Sequence, residues 1–154
     1  MLGKIYLEEG GNNKILIVPF ADKKQNNTLL TFMENKFENL DVWKRSFDLT
    51  VNIYKELKEC RDYGFKDQIQ RASVSILSNI AEGFERNRPK ELVQFLYIAK
   101  GSCGEVRAQL HLAKTLGYIS SEIANTYIQQ SAKISSQLYN LIQYRTNQNK
   151  TDYS

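Results

Sequence analysis

Apolar positions fall into four helical blocks separated by short polar breaks. Trp43, Phe47, Val51, Tyr54 and Leu57 recur at spacings of four, four, three and three, one apolar stripe of a helix. Val42, Leu49, Ile53 and Cys60 form a second, offset stripe, so this helix is expected to pack on more than one side. Asp41 is placed to cap its start, and Tyr63-Gly64 to end it, with Gly64 suited to a left-handed cap. A second helix is predicted from about Phe65 to about Arg86. Phe65, Ile69, Ala72, Ile76, Ile80 and Gly83 occupy one face of it; Val74, Leu77 and Ala81 occupy another. Between them runs a polar row, Arg71, Ser75, Ser78, Asn79, Glu82 and Arg86. A helix apolar over so much of its circumference is expected to be nearly enclosed by protein.

Asn87-Arg88-Pro89 breaks the pattern, and Pro89 suits the first turn of the next helix. That third helix carries Leu92, Leu96, Ala99, Cys103, Val106, Leu110, Ala113 and Gly117 at alternating spacings of four and three, a heptad rhythm. Glu91, Ser102, Glu105 and Gln109 form a second polar row beside it, and Gly101, Gly104 and Ala108 make the far side small. Leu116-Gly117-Tyr118 is a helix stop, and Ser120 or Ser121 caps a fourth helix marked by Ile123, Tyr127, Ile134, Leu138 and Leu141. That helix is predicted to end near Tyr144 or Arg145. The expected fold is all-α, an antiparallel up-down-up-down four-helix bundle over residues 37–146, with a frayed polar tail at 147–154.

Residues 1–36 read differently. Ile5-Tyr6-Leu7 and Ile15-Leu16-Ile17-Val18 flank a Gly10-Gly11-Asn12-Asn13 turn signal, and Lys23 to Asn27 reads as a linker. The expectation is an N-terminal extension, poorly ordered or a marginal hairpin, with Met33 as a second plausible start.

The break at 87–89 is short, so the second and third helices should be antiparallel neighbours whose facing residues have numbers summing to about 177. Arg86 with Glu91, Ser75 with Ser102, and Arg71 with Glu105 come close to that sum. The polar rows are therefore read as a structural seam of Arg71, Ser75, Asn79, Glu82, Glu91, Ser102 and Glu105, since buried charge requires pairing. The competing readings are a ligand pocket using Glu82, Asn79 and Arg71, and a subunit contact.

Composition narrows the function classes. Hydrophobic residues make up 42% and charged residues 25%, values of an ordinary globular domain. The net charge of +4 permits contact with nucleic acid without demanding it. Cys60 and Cys103 form neither a CxxC pair nor a disulfide framework, which points to a reduced, cytoplasmic setting. No run approaches the roughly 18 apolar residues of a membrane span. His111 has no second ligand at metal spacing, and Ser73, Ser75 and Ser78 lack a nucleophile elbow. Gly101-Ser102-Cys103-Gly104 lacks the strand and Lys-Ser/Thr of a phosphate loop. No enzyme activity, cofactor or metal is expected. The remaining lead is charge: Lys44, Arg45, Lys55, Lys58 and Arg61 on the first helix, and Arg86, Arg88 and Lys90 at the second loop. Of these, Lys44, Arg45, Arg86, Arg88 and Lys90 are the candidate nucleic-acid contacts.

A set of residues in order carries a resemblance: Leu40-Asp-Val-Trp-Lys44, Ile53-Tyr54, Tyr63-Gly64, Gln68-Ile69, Arg71-Ala72, Ser78-Asn-Ile-Ala-Glu-Gly83, Lys90-Glu91, Phe95-Leu96, Ala99, Gly101-Ser102 and Leu116-Gly-Tyr-Ile119. Over about 38–145 the chain resembles the small four-helix-bundle proteins encoded in intervening sequences of bacterial 23S rRNA genes. It is more distantly similar to the accessory variability proteins of diversity-generating retroelements, which are basic and associate with nucleic acid and a reverse transcriptase. The resemblance implies a ring-like homopentamer without known catalytic activity. Its basic surfaces make rRNA, another structured nucleic acid or a nucleoprotein the candidate partner, and a structural assembly scaffold without nucleic-acid binding is the alternative. This chain departs from the pattern at Leu77, where Pro is usual, at Gln70, where Arg is common, and in the missing Phe-Pro before Tyr63.

Overall fold

The computed structural model describes residues 2–9, 12–19, 36–86 and 88–151, with side chains from 36 to 147 apart from 87. The chain divides into two compact units, Met1–Asn35 and Lys36–Ser154. In the first, β1 (Leu2–Glu9) pairs antiparallel with β2 (Asn12–Pro19). Pairing continues to Glu9 opposite Asn12, so Asn12 and Asn13 belong to a strand and not to the connection. The linker at 23–27, Met33 and the last three residues lie outside the described residues.

The second unit is all-helical: a short 3-10 turn (Phe37–Asn39), then α1 (Asp41–Glu56), α2 (Tyr63–Glu85), α3 (Pro89–Thr115) and α4 (Ser121–Thr151). Each helix packs against two others, α1 and α3 both lying against α2 and α4, and α3 makes the most extensive contacts. The buried residues form one core cluster, and Ile69, Ile76, Ile80, Leu96, Val106, Leu138 and Ile142 have no exposed surface. Burying each Leu or Ile side chain of this kind contributes about 1.5–3 kcal/mol, which outweighs propensity in holding the helices.

The helix ends follow capping chemistry, with three departures from expectation. Leu40, not Asp41, stands at the start of α1, and no side chain caps it. Asp41 instead accepts from Arg45 Nε at 2.7 Å and from Gln137 Nε2 of α4 at 2.8 Å. Gly64 does not end α1. That helix stops at Glu56, and Asp62 Oδ1 accepts the amide of Phe65 at 3.0 Å, opening α2 two residues earlier than predicted. A side-chain cap thus takes the position where a glycine stop was expected. The tail is helical to Thr151, beyond the predicted end near Tyr144, because no Gly or Pro follows Arg145 to halt propagation.

Other ends match. Pro89 opens α3. Gly117 closes it at φ +72°, with its amide bonded to the Lys114 carbonyl and that of Tyr118 to the Ala113 carbonyl, a left-handed cap that glycine adopts without steric cost. Of the two candidate serines, Ser120 caps α4, its Oγ accepting from the Ile123 amide at 3.2 Å.

The two stripes of α1 divide between core and surface. Val42, Leu49 and Ile53 are buried, joined by Ser46, Thr50 and Leu57. Trp43 and Val51 are half-buried, while Phe47 and Tyr54 are exposed. Nor is α2 enclosed within this unit: Ile69, Ala72, Ser73, Ile76, Ile80 and Gly83 are buried, whereas Asp67, Arg71, Val74, Ser78 and Glu82 face outward.

Candidate nucleic-acid interface and polar seam

Where α2 meets α3 the approach is close. A Cβ built on Gly83 would lie 2.9 Å from Phe95 Cβ and 3.1 Å from Leu92 Cδ1, so only glycine admits this contact without a shift. Further along, Ser75 Oγ and Ser102 Oγ lie 2.9 Å apart. Asn79 Nδ2 donates to Ser75 Oγ at 3.0 Å and to the Ser75 carbonyl at 2.7 Å, and Ser102 Oγ donates to the Ile98 carbonyl at 3.2 Å. With Ser102 giving its proton to Ile98, Ser75 is the donor of the pair. The chain Asn79–Ser75–Ser102–Ile98 then runs in one direction with each half-buried group satisfied.

The charged members of the predicted seam are placed differently. Arg86 bonds Glu82 Oε1 through Nε at 3.0 Å and Nη2 at 2.6 Å, and reaches Glu91 Oε2 through Nη1 at 3.4 Å. Glu91 also accepts from Arg88 Nη1 at 2.9 Å. Arg88 and, secondarily, Arg86 hold the Glu91 carboxyl below the usual carboxylate range, while the bond to Glu82 raises the Arg86 guanidinium. Arg71 and Glu105 do not pair. Arg71 lies 3.8 Å from Asp67, one turn back on its own helix, and both side chains are mostly exposed. Arg71 and Glu105 nevertheless share an open groove of about 480 Å³, lined also by Asp67, Gln68, Ala72, Ser75 and Gln109. Gln109 Oε1 is shut off from solvent there with no donor. Long side chains that reach water keep their charges solvated, so the polar rows form hydrogen bonds at the middle of the seam and leave ionic groups on its surface.

The candidate nucleic-acid contacts lie toward one end of the helical unit. The 3-10 turn touches both α1 and α2. Asp41 at the start of α1 accepts from Gln137, and Arg145 of α4 lies 5.7 Å over the ring of Phe84 near the end of α2. Lys44 and Arg45 at the start of α1 therefore share this end with Arg86, Arg88 and Lys90. Lys44 and Lys90 are exposed and make no ion pair among the described residues. Arg45, Arg86 and Arg88 are tied to Asp41, Glu82 and Glu91. Sequence reasoning missed two further cations at this end, Lys36 and Arg145. Lys36 stands in extended backbone before the 3-10 turn and Arg145 on α4, positions that carry no periodic signal; only the fold brings them there. Phe37, Trp43 and Phe47 form an aromatic cluster beside them, with ring centroids 5.1 and 5.5 Å apart along the series.

The reactive groups elsewhere are quiet. Burial pushes the Cys103 thiol up to about 12, so it stays protonated. Cys60 is free and half-buried, and His111 is exposed. Among the described residues no group of three His, Cys, Asp or Glu side chains converges on a metal site, and no helix is long and apolar enough to cross a membrane.

Comparison with known proteins places this architecture. No curated protein matches the chain. Among solved structures, it is similar to a protein of unknown function from the S23 ribosomal protein family of Bacteroides thetaiotaomicron, at 28% sequence identity and a TM-score of 0.62. The likeness covers 66% of this chain and 97% of that one. The family pattern of the 23S rRNA-intervening sequence proteins matches residues 38–140, from the turn before α1 well into α4. With two thirds of its length inside that pattern, and the same helical body, the chain belongs to the 23S rRNA-intervening sequence protein family.

Proposed function

We propose that this is a non-enzymatic, cytoplasmic protein whose antiparallel up-down-up-down bundles assemble into a ring-like homo-oligomer, a homopentamer, that binds rRNA or another structured nucleic acid through a basic end. The observation that carries the reading is the convergence of Lys44, Arg45, Arg86, Arg88 and Lys90 at one end of the helical unit, joined by Lys36 and Arg145. The bundle topology is supported by side-chain pairs whose numbers run in opposite directions, Arg86 with Glu91 and Ser75 with Ser102. Two unpaired cysteines support the reduced compartment.

Backbone phosphates are bound by counterion release, so affinity through this end falls steeply with salt. Replacing Arg86, Arg88 and Lys90 together with Gln is expected to weaken binding of a structured rRNA fragment at least tenfold and to flatten the salt dependence. Each lost contact lowers the slope by about 0.7–0.9. Mobility-shift titrations over a salt series, with circular dichroism to verify folding, measure this. Absence of binding by the wild type at low ionic strength defeats the RNA reading.

A second reading, an assembly scaffold without nucleic-acid binding, is favoured by the acids that neutralise Arg45, Arg86 and Arg88. An oligomer that fails to shift RNA at any salt would select it.

A further inference from the structure

The first helix of the bundle carries two apolar stripes, and the middle of one is left uncovered by the protomer. In that stripe Trp43 and Leu57 turn toward the core, while Phe47, Val51 and Tyr54 form an outer ridge at four-three spacing. Phe47 and Tyr54 on it remain 46% and 44% exposed, large aromatic rings in water on the side of α1 turned away from its neighbours.

Charge decides what can cover it. Lys44, Lys55 and Lys58 flank the stripe against Asp48, while Arg45 is committed to Asp41. Two copies of the stripe laid parallel would set each lysine against its counterpart. Laid antiparallel about Val51, they would bring Lys44 beside Lys58. The parallel arrangement faces like charges throughout, while the antiparallel one sets Lys44 against Lys58 and only Asp48 against Lys55. With three lysines against one aspartate, the ridge is better matched by a surface that is apolar and acidic.

Another side of the same bundle has that character. The groove between α2 and α3 carries Asp67 and Glu105 against the single cation Arg71. Val74 on α2, and Ile98 and Leu112 on the helical row of Ser102, Glu105 and Gln109, extend it with exposed apolar surface. Since α1 packs on α2 and α4 and not substantially on α3, the ridge and the α3 rim of the groove lie on different sides of the protomer.

We propose that the α1 ridge of one copy docks into the α2–α3 groove of the next, a head-to-tail contact of two unlike surfaces. Contacts of this type close into rings when the rotation per subunit allows. The inference rests on the homo-oligomer reading above and names its two surfaces. Lys44 then stands where the ridge meets the basic end, and Lys44, Arg45, Arg86, Arg88 and Lys90 repeat around the assembly there.

The test uses the full chain and light scattering after size-exclusion chromatography. Phe47→Asp/Tyr54→Asp breaks the ridge and leaves the groove; Asp67→Lys/Glu105→Lys breaks the groove and leaves the ridge. Each variant is expected to run at protomer mass with unchanged helical circular dichroism. Mixed in equal amounts they should form heterodimers and nothing larger, because one intact ridge meets one intact groove. A wild-type oligomer that survives both double substitutions overturns the proposal while leaving the homo-oligomer reading intact. Dissociated variants that fail to complement each other overturn it as well. A monomeric wild type overturns both. Should the aspartate pair fail to fold, Phe47→Ser/Tyr54→Ser carries the same arm, and the groove variant tests the contact independently.

Discussion

In α3, the stripe of Leu92, Leu96, Ala99, Cys103, Val106, Leu110 and Ala113 is buried throughout, every member in the shared core. In α1, an equally regular set divides: Val42, Leu49 and Ile53 go inward, while Phe47 and Tyr54 stay out. The difference lies in position. Helix α3 is pressed between two long neighbours, whereas the shorter α1 closes the bundle from one side. A heptad stripe thus states that something covers it, and not whether that something is the same chain.

The sharpest way to break this comparison is to truncate one residue of each kind. Leu96→Ala removes a fully buried side chain from α3 and should cost about 2–5 kcal/mol in denaturant unfolding, through lost transfer energy and the cavity left behind. Phe47→Ala should leave protomer stability within about 0.5 kcal/mol. A comparable loss at Phe47 would mean that the outer stripe is as much core as the inner one.

Next in size is Gly83→Ala, which probes how closely α2 and α3 approach. With Phe95 Cβ 2.9 Å from the new methyl, the helices must separate locally. The expected cost is about 1–3 kcal/mol, against the usual gain in helix propensity from Gly to Ala. A stabilised variant would show that the seam relaxes freely.

The smallest effect is expected at the bottom of the bundle, where Tyr118 of the α3–α4 connection donates to Asp62 Oδ2 at 2.8 Å. The Phe65 amide, and then Tyr118, lower the Asp62 pKa, so its contribution is present above the unfolded value and fades as pH falls through the lower folded one. The Tyr118 phenol is shifted up by Asp62, so its share persists below its unfolded value and disappears as pH rises through the higher folded one. Tyr118→Phe should lower Tm slightly near neutral pH and soften the decline at both extremes. Calorimetric scans across the pH range measure it; an acid limb as steep as that of the wild type would assign the decline to other carboxylates.

The legibility of these features in the sequence differs by cause. The α3 stripe, the Pro89 start and the Gly117 stop rest on local rules of periodicity and backbone conformation, and the structure follows them. The boundary between α1 and α2 differs from expectation because two local signals compete there, and the side-chain cap of Asp62 on α2 prevails over a glycine stop at 64. In α4, Ala124, Ser131 and Ile142 are buried without having been expected there. Ser131 fits because its hydroxyl donates to the Cys103 carbonyl at 3.0 Å across the α3–α4 contact. A polar residue gives no hint of burial until its partner is known.

Of the candidate site, the pairs Ser75–Ser102 and Arg86–Glu91 were predictable from the short connection between their helices, since a tight turn fixes register. Arg71 was misassigned because length and exposure let a guanidinium choose a partner on its own helix. By itself the sequence determined four helices, their family and the residues able to make a core, because these depend on period and local propensity. Only the tertiary structure decided which α1 stripe faces inward, which seam charges pair, and that distant cations share one end. Those outcomes depend on the competition among neighbours for the same surface, and no stretch of chain contains that information alone.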